Sequence, residues 1–318
     1  MKNAVDATRR TGLKIFTAVF AISALAVVLA ARGAEAPIPL EVAYAGSMGP
    51  MIDGAMRPAV AAALAADLRG RAQGSTGLAR LIAAGSIRPD VFIAVTPGPM
   101  RTVIAAGKTA RAIPVASTEM VIAYSPHSRF AAAFAHSGSS PGAAAKTWWQ
   151  VLETPGLRFG RTDPSTDPLG LNIIFAMQLA SDYYQQPDLA RKILGSRINH
   201  SQIFMEPQLM ARLQAGQLDA SAAYKTQPGA FGLPYVALPA EINLGDAAME
   251  PTYKKAAVTL NGKPRHPSPL IYYAAIMNDA AHPRLAARFV AWLQGTAARS
   301  IFAKYHYDPP GEAKPLAP

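Results

Sequence analysis

Leu40-Glu-Val-Ala-Tyr-Ala-Gly-Ser-Met48 is the stretch that decides the fold. Residues 40–44 alternate as a strand does, Gly46-Ser47 makes a turn, and the Ala-rich residues 48–68 read as a helix. The same order returns at once. Residues 69–73 form a weak strand candidate, Gly74-Ser-Thr-Gly77 a turn, and residues 78–85 a helix ended by Gly85. Residues 90–95 are a buried-type strand, and Pro97-Gly98-Pro99 opens another helix. A βαβαβ run of this kind predicts a parallel sheet with a ligand crevice at the carboxyl ends of its strands.

Working outward, residues 119–124 are a strong strand, and the softer stretch 125–145 marks a crossing into a second lobe. A helical turn at 147–151 and a strand-like run at 157–159 lead to Gly160-Arg-Thr-Asp-Pro-Ser-Thr-Asp-Pro-Leu-Gly170. Paired Asp-Pro steps and a Gly describe a tight connection ending at the N-terminus of a helix over 171–184. Further helices are expected at 188–194 and from Glu206-Pro207 to Gly216, with strands at 203–205, 218–224 and 235–238. Residues 258–269 are polar and Pro-rich, and 270–277 is a strong strand that returns to the first lobe. Helices over 284–294 and 296–304 follow, then an irregular Pro-rich tail from Asp308. The expected fold is α/β and two-lobed, each lobe a mixed, mostly parallel sheet flanked by helices, with two crossing segments as hinge. Residues 37–121 and 268–318 make lobe I; residues 122–267 make lobe II.

The N-terminus is set apart from this fold. Residues 1–14 are basic, 15–31 apolar and small, and Ala34-Glu35-Ala36 fits a cleavage site, so residues 1–36 read as a secretory signal peptide. The run Thr8-Arg-Arg-Thr-Gly-Leu-Lys14 resembles a twin-arginine export signal. A membrane anchor is the competing reading of the same segment. Cysteine is absent from all 318 residues. That excludes disulfides, thiolate metal sites, a Cys nucleophile and a lipid-modified Cys. The formal charge is +11, yet no Lys/Arg run is interleaved with aromatics, which argues against nucleic acid.

Helix N-termini attract anions, because their first N–H groups are unpaired. The loop before residue 171 nonetheless carries Asp163 and Asp167, either of which could serve simply as an N-cap. Ser47 and Ser75 each follow Gly at a helix mouth. They could be plain caps, or together a neutral clamp for an oxyanion facing the Tyr224 hydroxyl. The six histidines show no metal-binding spacing, and the Asp163/Asp167 pair has no EF-hand spacing. Gly138-Ser-Ser-Pro-Gly142 matches G-x-S-x-G with Ser140 as nucleophile, but Pro141 follows it and no strand precedes it.

The set of short motifs resembles the periplasmic oxyanion-binding proteins of the tungstate/molybdate type, solute receptors of ABC importers with a type II binding-protein fold. The matching pieces are Tyr44-Ala-Gly-Ser47, Gly74-Ser-Thr-Gly-Leu-Ala-Arg80, Asp90-Val-Phe92, Gly160-Arg-Thr-Asp-Pro164 and Asp167-Pro-Leu-Gly170. Gln178-Leu-Ala180, Tyr183-Tyr184, Glu206, Leu213-x-x-Gly216-x-Leu-Asp219, Tyr224-Lys225 and Leu238-Pro-Ala-Glu-Ile-Asn-Leu244 follow in family order. The resemblance implies that Ser47 and Ser75 touch the oxyanion, while amides near Leu169 and the Tyr224 hydroxyl form the other wall. It also implies that Asp167 and Glu206 bond the metal itself. A carboxylate beside a dianion is costly when it only repels, and becomes favourable when it ligates a hard, highly charged W(VI) or Mo(VI) centre. Such centres can add oxygen ligands, unlike sulfur in sulfate or phosphorus in phosphate, so the acids would discriminate against the commoner anions.

The function so implied is not enzymatic and needs no cofactor. A monomeric, non-lipidated periplasmic receptor captures tungstate or molybdate between its lobes and hands it to a membrane permease. The alternatives are a receptor for another oxyanion or small organic acid, using only the Ser/Tyr/amide clamp, and a periplasmic hydrolase built on Ser140 or the Asp pair.

Overall fold

The computed structural model describes residues 37–138, 146–260 and 262–318. The expected signal segment and Ser140 lie outside these residues. Strand β1 (Ile38–Ala45) leads into a 3-10 turn (Gly46–Met48), one helical turn (Gly49–Met51), a π turn (Ile52–Met56) and then helix α1 (Arg57–Leu64). This corrects the single helix expected over 48–68. Gly54 lies in the wide π turn, where a Cβ would come within 2.6 Å of the Tyr305 hydroxyl oxygen. Ala65 takes a left-handed φ of 52°, which ends α1 and turns the chain into β2 (Ala66–Gln73). Helix α2 (Ser75–Ala83) and strands β3 (Val91–Val95) and β4 (Ile113–Ser117) follow.

The second sheet begins with β5 (Met120–Tyr124), β6 (Phe159–Gly160), β7 (Ala220–Tyr224) and β8 (Tyr235–Ala237). The Pro-rich segment read as polar loop contains a small hairpin, β9 (Val258–Leu260) with β10 (Lys263–Arg265). The chain then re-enters the first sheet as β11 (Ile271–Ile276). The strand orders are β2-β1-β3-β11-β4 and β6-β7-β5-β8.

This is the expected two-lobed α/β fold, but its sheets are not mostly parallel. β1 pairs in parallel with β3, and β6 with β7. β11 runs antiparallel to β3 and β4, and β5 antiparallel to β7 and β8. Both odd strands are the ones that cross between sheets. Neither follows a βαβ crossover, the connection that would return it in the parallel sense. Because β3, β5 and β7 are covered on both faces, they are buried along their whole length and read as continuous apolar runs.

Two polar devices hold the loops that matter. The buried Asp90 carboxylate accepts from the Glu41 and His282 amides, each at 2.9 Å, and so ties β1 to the turn after β11. Fully buried Arg161 donates to Gln202 Oε1 at 3.0 Å and to the Ser196 and Arg197 carbonyls at 2.8 and 3.0 Å. Residues 203–205, expected as a strand, reduce to one bridge between Arg161 and Ile203, in which the Arg161 backbone donates to the Gln202 carbonyl at 2.8 Å and accepts from the Phe204 amide at 3.0 Å. The tail is also more ordered than expected. Asp308 pairs with Ser117 and Leu316 with Ala112, which covers the open edge of β4.

Candidate functional site

The turns after β1 and β2 meet the turns after β6 and β7, where the Gly77 amide at the start of the helix after β2 donates to the Thr166 carbonyl at 3.0 Å. Neither serine is a helix cap. Ser47 lies inside the 3-10 turn and Ser75 is the first residue of α2, whose N-cap is Gly74. Both are buried, and the Ser75 hydroxyl has no hydrogen-bond partner. A buried hydroxyl left unpaired is costly, so it marks a position where a partner is wanted.

Opposite them stands Asp167, the N-cap of helix α3 (Pro168–Tyr183), with Oδ1 accepting from the Leu169 amide at 2.9 Å. Pro168 suits the first helical position, where no N–H is needed. The plain capping role is therefore real, and it occupies the Leu169 amide. Its second oxygen is turned to the start of α2: a Cβ on Gly74 would lie 2.9 Å from Asp167 Oδ2. Only glycine lets the backbone come so near. Glu206 opens helix α4 (Glu206–Gln214) and accepts from Gln227 Nε2 at 3.3 Å. Its other oxygen is held against Gly46, where a Cβ would collide with it.

Asp167 and Glu206 are 7% and 4% exposed. Burial pushes Asp167 up from 3.8 to about 6, against the pull of the Leu169 amide. Burial, then the neighbouring Asp167 charge, lifts Glu206 well above its ordinary range, against hydrogen bonds from the Ser47 amide and hydroxyl. Among the described residues, no cation stands with the groups acting on either acid. Two carboxylates in contact cannot both ionise cheaply. Both are raised, so the pair favours holding a proton.

Tyr224 is fully buried, its oxygen accepting from Asn172 Nδ2 at 3.1 Å. Burial, followed by the Asp167 and Glu206 charges, raises its pKa, so the phenol keeps its proton and can donate it. Asp163 is elsewhere: its carboxylate accepts from the Ser165 amide at 2.7 Å and hydroxyl at 2.6 Å, shaping the turn. Among the described residues, no group of three or more His, Asp or Glu could hold a bare metal ion.

The fold thus brings Ser47, Ser75, Asp167, Leu169, Glu206 and Tyr224 to one buried locus. Sequence reasoning missed Asn172, Gln227 and Tyr272, whose hydroxyl lies 3.0 Å from Ser47 Oγ. Asn172 sits two residues past the Gly170 that ends the loop, and polarity inside an apolar helix was its available signal. Tyr272 carries no local signal, since a tyrosine within a strand reads as core.

Comparison with known proteins places these observations. Residues 40–308 match the model of the bacterial extracellular solute-binding protein family. The molybdate/tungstate-binding protein of Pyrococcus abyssi is 28% identical over 214 residues, covering 61% of this chain and 60% of the relative. Its counterpart in Thermococcus kodakarensis is also 28% identical over 214 residues, covering 61% and 58%. The chain therefore spans about three-fifths of the length of these curated relatives. Among solved structures, the periplasmic molybdate-binding protein of Azotobacter vinelandii superposes with a TM-score of 0.56 at 16% identity, covering 85% of this chain and 99% of that one. The sulfate-binding protein of Mycobacterium tuberculosis gives 0.55 at 15% identity, covering 86% and 87%. At such identities the likeness speaks for the fold alone. The chain belongs to the bacterial extracellular solute-binding proteins, a family of receptors rather than enzymes.

Proposed function

We propose that this protein captures tungstate or molybdate between its two lobes and delivers it to the membrane permease of an ABC importer. The observation that carries the reading is the pair Asp167 and Glu206, buried among neutral donors with no cation beside it among the described residues. Beside sulfate or phosphate such a pair only repels. Beside W(VI) or Mo(VI) it supplies oxygen ligands that the metal accepts. The Ser47 and Ser75 hydroxyls, the Tyr224 phenol and amides near Leu169 are then the donors to the oxo groups. The names of the Pyrococcus and Thermococcus relatives support the same ligand class.

In this reading the lobes are built on the two sheets, residues 37–121 with 268–318 and residues 122–267, and close by hinging at the crossing segments. The receptor is a monomer, exported to the periplasm behind a cleaved signal segment at residues 1–36. A receptor for another oxyanion is the second reading, favoured by the fold shared with the sulfate-binding protein. Thermal unfolding separates the two. Tungstate or molybdate should raise the melting temperature by several degrees at 100-fold excess over Kd, about 2.7 kcal/mol, and sulfate should not. Equal stabilisation by sulfate would defeat the role given to the acids.

A further inference from the structure

We infer that Tyr272 is a positioning residue that fixes Ser47 as a donor to the bound oxyanion; the inference rests on the reading of the site just given. Tyr272 lies on β11, the strand that re-enters lobe I, and is fully buried. Its hydroxyl is 3.0 Å from Ser47 Oγ. The neighbouring Tyr307 hydroxyl donates to the Ser47 carbonyl at 3.3 Å, and the two phenol rings lie tilted at 59° with centroids 5.2 Å apart. Tyr307 is braced in turn by Phe302, 5.5 Å away between centroids. Ser47 is thus held by one phenol at its side chain and by another at its backbone.

A serine hydroxyl has one proton and two lone pairs, and it can rotate to spend that proton on any nearby acceptor. The oxo groups of tungstate or molybdate only accept. Ser47 must therefore donate to the ligand, and it does so best when another group fills its lone pair. Tyr272 is placed to donate into Ser47 Oγ, which keeps the serine proton on the side of Glu206 and the cleft, where an oxo group can take it over when the ligand binds. A donor that is already oriented loses no rotational freedom on binding, and a polarised O–H···O–H chain strengthens its last bond.

The cluster also spans the lobes. Thr226, two residues past Tyr224, sets its hydroxyl against both phenols without a fully formed hydrogen bond of its own.

The test is a double-mutant cycle on the full mature protein, read as tungstate affinity by titration calorimetry. Tyr272→Phe should weaken binding about tenfold, the loss of one hydrogen bond to a group that itself contacts charge. Ser47→Ala should weaken it by at least as much. In the Ser47→Ala background, Tyr272→Phe should then change nothing further, because the phenol acts through the serine. A merely structural tyrosine would instead give losses that add, along with a lowered melting temperature of the ligand-free protein. Additive losses, full affinity in Tyr272→Phe, or full affinity in Ser47→Ala would each overturn the inference. If the unmodified protein binds neither tungstate nor molybdate, the parent reading fails first, which a null result in the variants alone cannot imitate.

Discussion

At the scale of single residues, the molecule turns on two carboxyl groups placed where carboxyl groups are expensive. Both are raised, so in the ligand-free protein their protonated forms are favoured and their cost is absent at pH below the ordinary value of 3.8. The cost grows as pH rises through about 6, where Asp167 loses its proton, and continues to grow above that for Glu206. A shift of this size corresponds to about 3 kcal/mol for Asp167 at neutral pH. The ligand-free melting temperature should therefore fall by roughly 5 °C between mildly acidic and mildly alkaline buffer. Glu206→Gln should flatten that slope in scanning calorimetry. The same substitution, and Asp167→Asn, should weaken tungstate binding by about 100-fold, as the loss of an inner ligand does. Unchanged tungstate affinity in both variants would remove the acids from the site.

At the scale of elements, the turn between β6 and α3 does most to shape the site. Gly170 lets the first turn of α3 press on that loop: a Cβ there would collide with the Thr162 carbonyl and lie 2.8 Å from the Asp163 carbonyl carbon. Gly170→Ala should cost about 2 kcal/mol in urea unfolding, because the clash is with backbone that cannot rotate away. Gly98→Ala, where the new methyl meets nothing within 4 Å, should stay within about 0.5 kcal/mol. A costly Gly98→Ala together with a neutral Gly170→Ala would mean the loop is not packed this way.

The same loop shows what sequence can convey. Asp-Pro pairs and Gly have local chemical meaning, and the turn, the helix start and Asp167 as a candidate were legible from them. The broken helix before α1 was not, since its π turn and the left-handed Ala65 depend on packing against Tyr305 and on where β2 must begin. Nor was the antiparallel sense of β5 and β11, which only the path between sheets decides. The pairing of Glu206 with Asp167 depended on family resemblance, because the two lie on different elements with no spacing that links them.

At the scale of the whole molecule, several contacts join the two sheets' surroundings. The acid pair presses on Gly46 and Gly74, the Gly77 amide reaches Thr166, and Lys225 bonds Asp308 of the tail at 2.5 Å with Glu119 at 3.4 Å. The lysine follows Tyr224 directly, so this ion pair is coupled by one peptide to Tyr224. Asp308 is half exposed, and an ion pair in such a setting contributes less than about 1 kcal/mol. Asp308→Ala should weaken tungstate binding no more than about threefold, and the difference should shrink at high salt. A loss surviving high salt would assign the tail a packing role instead.

The central claim is that acids facing each other without a cation select the metal of the ligand rather than its charge. Titration calorimetry of the mature protein against tungstate, molybdate, sulfate and phosphate at one pH tests it most directly. The account predicts tight binding of tungstate or molybdate with sulfate and phosphate weaker by at least about 1,000-fold, or about 4 kcal/mol. Sulfate or phosphate bound as tightly as tungstate would contradict it.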